Sequence, residues 1–385
     1  MPDPAARLGW DAIIERRLEQ SFLSTRARKR AIVDVVRSTC GIQAQSPPAA
    51  ELALGLRIDH LTRNDVRTEL ADRRALVRTF GPRDTVHLLP ASDLGLWMAA
   101  RRAVPIGRRW TAPWAISPAR AAKLLDAVDA ALADGPLERS ELAEAASKRA
   151  GAWAEQRLAA GRADLIALPA IAGVLCFGPA RGSRVTFVRA SDWVGDQTPP
   201  SPRDALREVV RRYLHAYGPA RSKDIAAWYA PKLLTAGDCA RLVAELGDEV
   251  VEIDVGRTSA HMLRGDLDAA AEAPSVRLVS RYDCYLLGSR FGRQQLVPPD
   301  VHRRLAAHPR GRYEGSAGHN CVLVDGRVGG MWEPRLLDDR VEVRVETFAP
   351  ADDAARQMLD REAERLAAFY ERPAELVTGE LDQSS

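Results

Sequence analysis

Two nine-residue segments share one frame without a gap. They are Gly135-Pro136-Leu137-Glu138-Arg139-Ser140-Glu141-Leu142-Ala143 and Gly218-Pro219-Ala220-Arg221-Ser222-Lys223-Asp224-Ile225-Ala226. In each, Gly-Pro stops a preceding helix, and an acid seven residues into the frame falls in the first turn of the next helix, where its charge suits the helix dipole. The flanks match as well. Helical patterns at residues 118–133 and 162–171 and a hairpin at 174–177 and 184–189 surround the first copy. Helical patterns at 203–217 and 235–246 and strands at 249–254 and 259–264 surround the second. A chance match is the plain alternative to an internal duplication, and the shared flanks favour duplication.

The same order stands earlier in the chain. Helix-like periodicity runs over residues 10–40, a second helix over 49–56 and a third from a Thr62 cap to about Arg74, followed by strands at 75–80 and 85–89. Helices closed by a hairpin have the order of a winged helix. After residue 275 the pattern turns to strands, at 275–280, 282–287, 320–324, 327–332 and 341–348, with Asp325-Gly326 as a strong hairpin signal. An amphipathic helix at 352–372 would bury Leu359, Leu366, Ala367, Phe369 and Tyr370. The expected fold is α+β: three tandem winged-helix units (1–110, with the Gln-x-Gln segment described below; 111–200; 201–274), a small C-terminal β-barrel or rolled sheet (275–350), and a terminal acidic helix and tail (351–385).

A net charge of +3 over 385 residues speaks against a uniformly basic DNA coat. The total conceals segregation. Residues 277–312 hold eight Arg against Asp283 and Asp300, whereas residues 346–385 hold ten acids against four Arg. Only five of the 55 basic residues are Lys, so phosphate contacts would fall to the planar guanidinium of Arg. The five cysteines are widely spaced, as expected of reduced thiols in a cytoplasmic protein. No apolar run is long enough for a transmembrane helix, and the first residues lack a secretory signal pattern.

Seven scattered histidines, with no Cys/His cluster, P-loop, Gly-rich dinucleotide loop or nucleophile elbow, give no support for a metal or cofactor. The unusual element is Gly41-Ile42-Gln43-Ala44-Gln45-Ser46-Pro47-Pro48. In an extended segment alternate side chains leave on one side, so both amides could converge. Glutamine is no general base at neutral pH, but it can orient a water and hold a sugar or phosphate. An ordinary polar loop before Pro-Pro is the bland alternative. Arg78 and Arg83 on the first wing, Arg181 and Arg184 on the second, and Arg290, Arg293 and Arg312 beside the β-domain are candidate phosphate contacts, against surface ion pairs as the other reading.

The segment Ile42-Gln43-Ala44-Gln45-Ser46-Pro47 resembles the Gln-Φ-Gln motif of bacterial winged-helix DNA glycosylases of the AlkZ/YcaQ type, whose YcaQ branch has Asp at the second Gln. Leu76-Val77-Arg78-Thr79-Phe80 with Arg83-Asp84-Thr85-Val86-His87 is similar to that family's first wing. Arg212-Tyr213-Leu214, Tyr217-Gly218-Pro219 and Asp224 with Trp228 are similar to its third unit. Arg281-Tyr282-Asp283-Cys284-Tyr285-Leu286-Leu287-Gly288 is similar to its F-D-P-Y-L-L-G segment, with Cys284 in place of Pro. The resemblance spans roughly residues 10–350. It implies a monofunctional glycosylase that excises N7-alkylated purines, including bulky adducts and interstrand crosslinks, from double-stranded DNA. N7 alkylation makes the base a good leaving group, so the enzyme needs to place a water at C1′ rather than supply a strong acid. Gln45 would orient that water, and Gln43 would hold it or the sugar–phosphate. Thr85 and His87 match the family and would support the site. A cytoplasmic monomer, associated with the nucleoid when bound to DNA, is expected. The rival reading is a non-catalytic winged-helix DNA-binding protein such as a transcriptional regulator.

Overall fold

The computed structural model describes residues 6–104, 116–160, 165–267, 276–308 and 315–381. They form two compact units, each assembled from separated stretches of chain. The first takes residues 1–66, 211–225 and 246–385, and the second takes 67–210 and 226–245.

In the first unit, helix Trp10–Gln20 is buried on more than one side. Ile13 packs with Ile253, Val255, Ala260 and Met262 of the hairpin Val250–Val255 and Thr258–Leu263. Ile14 and Leu18 pack instead with Val279, Tyr285, Leu323 and Met331 of the C-terminal region. Arg17, between these two sets, is fully buried. Its guanidinium donates to the carbonyls of Tyr217, Pro219 and Phe291 at 3.0 Å each, which makes the buried charge tolerable.

The C-terminal sheet has five strands in the order Val276–Val279, Asn320–Val324, Arg327–Leu336, Val341–Thr347 and Ala374–Thr378. Asp325 and Gly326 take φ of 48° and 72°, the turn that suits a two-residue hairpin. The last strand, absent from the sequence reading, runs parallel to Val341–Thr347. A parallel neighbour requires a crossover, and helix Asp353–Tyr370 supplies it. That helix lays Leu359, Ala363, Leu366 and Phe369 on the sheet's Leu278, Val322, Trp332, Val343 and Val345. Leu52 and Leu56 join the same core. Among the described residues the sheet is open, with Val276–Val279 and Ala374–Thr378 at its edges, so the expected barrel is not formed. The helix covers one face of the sheet instead.

A second correction concerns residues 282–287. They were expected as a strand but turn into the helix Cys284–Gly288. The Asp283 carboxylate accepts the backbone N–H of Tyr285 at 2.9 Å, and Tyr282 enters with φ 60°. A cap and a left-handed residue together override the apolar run.

In the second unit the two hairpins join edge to edge. Five of its strands run in the order Val86–Pro90, Leu76–Phe80, Leu175–Phe177, Thr186–Arg189 and Leu137–Glu138, with Arg78 opposite Phe177 at the seam. Residues 152–159, not foreseen as a separate element, form helix Ala152–Ala159. The helix expected over 162–171 is Ala167–Ile171, and residues 161–164 lie outside the described residues. The shared nine-residue frame has a common local origin. Glu141 accepts the backbone N–H of Glu138 at 2.7 Å, and Asp224 accepts that of Arg221 at 3.2 Å, three residues back in both cases. The acid is therefore a helix-start clasp in each copy.

Candidate active site

Helix Ile32–Ser38 ends in a tight reversal. Thr39 bonds back to the Val35 carbonyl at 2.8 Å, Cys40 and Gly41 take φ of 56° and 92°, and the Gly41 N–H reaches the Val36 carbonyl at 2.8 Å. This is the left-handed stop that ends many helices. The buried Tyr217 hydroxyl donates to the Thr39 carbonyl at 2.6 Å, tying the reversal to helix Pro202–Tyr217.

The chain then runs extended through Ile42–Gln43. Ile42 and Ala44 are buried, at 1% and 0% exposure. Gln43 is also largely buried, and Gln45 is exposed. The alternation expected of an extended segment brings the two amides together: Gln43 Nε2 donates to Gln45 Oε1 at 2.7 Å. Pro47 and Pro48 open helix Pro47–Gly55 at once, so the segment cannot continue as a strand.

Ser46, at the head of that helix, accepts a hydrogen bond from Arg281 Nη2 at 2.7 Å. Arg281 belongs to the C-terminal region. Its own N–H is held by Asn320 Oδ1 at 2.8 Å. Two residues on, Asp283 meets Arg57 in a fully buried, bidentate pair, Nη1–Oδ2 2.8 Å and Nη2–Oδ1 2.6 Å. That carboxylate holds the Arg57 guanidinium above its usual pKa despite burial. Pro48, Ala49, Arg281, His319, Asn320 and Glu333 help line a cavity of about 320 Å³ beside this junction. Arg281 and Ser46 were absent from the sequence-derived candidates. Each sits inside one of the segments that carry the family resemblance, and that was the available signal.

Thr85 and His87 lie in the second unit. Thr85 Oγ1 donates to the Pro82 carbonyl at 3.0 Å. His87 Nδ1 bonds the Thr85 carbonyl at 2.8 Å, so Nδ1 carries the proton and Nε2 is left as an acceptor. Burial, with Arg83 nearby, pushes the imidazole pKa down to about 3, so His87 is neutral at physiological pH. The wing tip just before them is pinned. Asp84 takes a bidentate bond from Arg101 at 2.6 and 2.8 Å, and Arg83 donates to the Trp228 carbonyl at 3.2 Å.

The other candidate arginines differ in what they hold. Arg78 stacks over Phe177 at 4.4 Å, and burial lowers its pKa to about 10. Arg181 and Arg184 on the second wing pair with Glu141 and Glu138 at 3.0 Å each, yet remain exposed. Arg293 donates to the Leu286 carbonyl at 3.0 Å and is half-buried, as is Arg290. Arg312 lies outside the described residues. Among the described residues no cluster of His, Cys, Asp or Glu could hold a metal ion.

Two paired amides at the end of a rigid turn can orient a water but cannot take its proton. Such a site suits hydrolysis in which the leaving group already carries the positive charge, the situation of a DNA glycosylase acting on a cationic base. Comparison with known proteins agrees. The family model described as "DNA glycosylase AlkZ-like" matches residues 36–369. An interstrand DNA cross-link repair glycosylase of Streptomyces sahachiroi is 30% identical over 370 residues, covering 94% of this chain and 96% of that protein. The solved structure of the Streptomyces sahachiroi DNA glycosylase AlkZ superposes with a TM-score of 0.81 at 28% identity, covering 96% of this chain and all of that one. The chain belongs to the AlkZ-like DNA glycosylase family. It is an enzyme that hydrolyses N-glycosidic bonds of DNA rather than a transcriptional regulator.

Proposed function

We propose that this glycosylase removes N7-alkylated purines, bulky adducts and interstrand crosslinks among them, by water attack at C1′, leaving an abasic site. The observation that carries the reading is the Gln43–Gln45 hydrogen bond. With one lone pair of Gln45 Oε1 taken by Gln43, the carbonyl is held in one orientation and its other lone pair can receive a proton of the attacking water. Gln43 thus positions Gln45, and its neutral amide adds no charge that would repel the cationic base. The cross-link activity named for the Streptomyces relative supports the substrate class.

The remaining parts follow from the same reading. Thr85 and a neutral His87 support the site by hydrogen bonding rather than proton transfer. Arg78, Arg83, Arg181, Arg184, Arg290, Arg293 and Arg312 contact phosphates, the exposed Arg181 and Arg184 being the most available. The recurring order of helices and hairpin makes three winged-helix units (1–110, 111–200 and 201–274) the modules that hold the duplex, with 275–350 and 351–385 as the C-terminal sheet and helix. The enzyme acts as a cytoplasmic monomer without a cofactor.

The test is incubation with a duplex carrying one N7-alkylguanine, followed by alkali. Strand breaks at the modified site are expected. A crosslinked duplex should separate into single strands on a denaturing gel. Intact strands with several different adducts would reject the reading.

A further inference from the structure

We propose that Arg281 and Ser46 together bind one phosphodiester of the strand that carries the lesion, and so fix where the backbone runs past Gln45. The inference rests on the glycosylase reading above and adds to it a substrate-contacting pair.

Arg281 is exposed, yet its place is set from several sides. Its Nη2 is on Ser46 Oγ at 2.7 Å, and its backbone N–H is on Asn320. Tyr282, which follows it, bonds the Ala317 carbonyl at 2.7 Å, and Asp283 is anchored on Arg57. An exposed long side chain on so constrained a backbone is preorganised, which lowers the entropy lost on binding.

Its charge is also uncompensated. Exposed Arg181, Arg184 and Arg304 each have a carboxylate within about 3 Å. Among the described residues Arg281 has none: its side-chain hydrogen bond goes to the neutral Ser46 hydroxyl, and its guanidinium lies over the uncharged Tyr282 ring at 5.7 Å. That hydroxyl uses a lone pair to accept from Arg281, and its proton has no acceptor among the described residues. The spare guanidinium N–H groups and the Ser46 O–H are therefore adjacent, solvent-facing donors with no protein acceptor among the described residues. A group that only accepts, carries negative charge and offers two oxygens completes them, and a DNA phosphodiester is such a group. Ser46 directly follows Gln45, so a phosphate seated there lies one residue from the amide that aims the water.

Binding of an undamaged duplex across about 50 to 200 mM salt reads the contact without requiring catalysis. Arg281→Gln keeps a polar side chain but removes the charge. It should flatten the slope of log K against log salt by about one. Arg281→Lys should keep the wild-type slope. Ser46→Ala should also keep the slope, while single-turnover excision at saturating DNA falls severalfold because the guanidinium is no longer aimed. An unchanged slope in Arg281→Gln overturns the proposal. So does an equal loss in Arg281→Lys, which would trace the effect to something other than charge. A wild-type protein that binds with the full slope but excises nothing rejects the glycosylase substrate reading and leaves the phosphate site standing.

Discussion

Gln43 Nε2 donates to Gln45 Oε1 at 2.7 Å, and the buried amide thereby holds the exposed one. The two glutamines are not equivalent. Gln45 is exposed, whereas Gln43 is largely buried; in the proposed reaction Gln45 meets the substrate and Gln43 positions it.

Gln45→Ala should lower single-turnover excision of an N7-alkylguanine by about 100-fold or more, with DNA affinity kept. Gln43→Ala should lose less, about 10- to 100-fold, because Gln45 remains but is no longer aimed. Equal losses in rate and affinity for Gln45→Ala would place that residue in binding instead.

His87 carries a sign that pH can read. Its folded pKa of about 3 lies below the ordinary 6.5, so between those values the unfolded chain binds the extra proton. Stability contributed by neutral His87 is full above about pH 6.5 and declines as pH falls, at up to about 1.4 kcal/mol per unit. Thermal melts from pH 7.5 down to 4 should fall less steeply for His87→Gln than for the wild type. Excision should show no step near pH 6.5 that disappears in this variant.

The Arg57–Asp283 pair lies wholly out of water. Asp283→Ala leaves a buried guanidinium without its partner and should cost about 3–5 kcal/mol in urea denaturation. Removing both charges, as in Arg57→Met with Asp283→Leu, should recover much of that loss. A single variant with unchanged stability would contradict the pair's anchoring role.

Gly55 sits where helix Pro47–Gly55 meets the C-terminal helix. A Cβ there would come within 2.5 Å of the Phe369 ring. Gly55→Ala should destabilise by about 1–3 kcal/mol, and a smaller residue at 369 should relieve part of this. Melting temperatures of the two single variants and the double variant test the coupling.

Much of the local structure was legible. The Thr62 clasp with Asp65, the Asp325-Gly326 turn and the amphipathic run ending at Phe369 depend on neighbours a few residues apart. So does the convergence of Gln43 and Gln45, which follows from an extended chain with small and apolar residues between and before them. The strand expected over 282–287 failed because its fate is set by Asp283, whose carboxylate is engaged by Arg57, 226 residues away in sequence. Strand Ala374–Thr378 and the open sheet were likewise hidden. A parallel edge strand has no turn signal beside its partner, and sheet closure depends on which face a helix covers.

By itself the sequence determined the periodicities, the caps and the paired amides, because each is a matter of bonds within one turn or one extended segment. The tertiary structure decided which charges are spent. It paired Arg181 and Arg184 with acids, turned Arg293 onto a carbonyl and set Arg281 on Ser46 with no carboxylate partner among the described residues, because only the folded chain brings distant carboxylates within reach of a guanidinium or keeps them away.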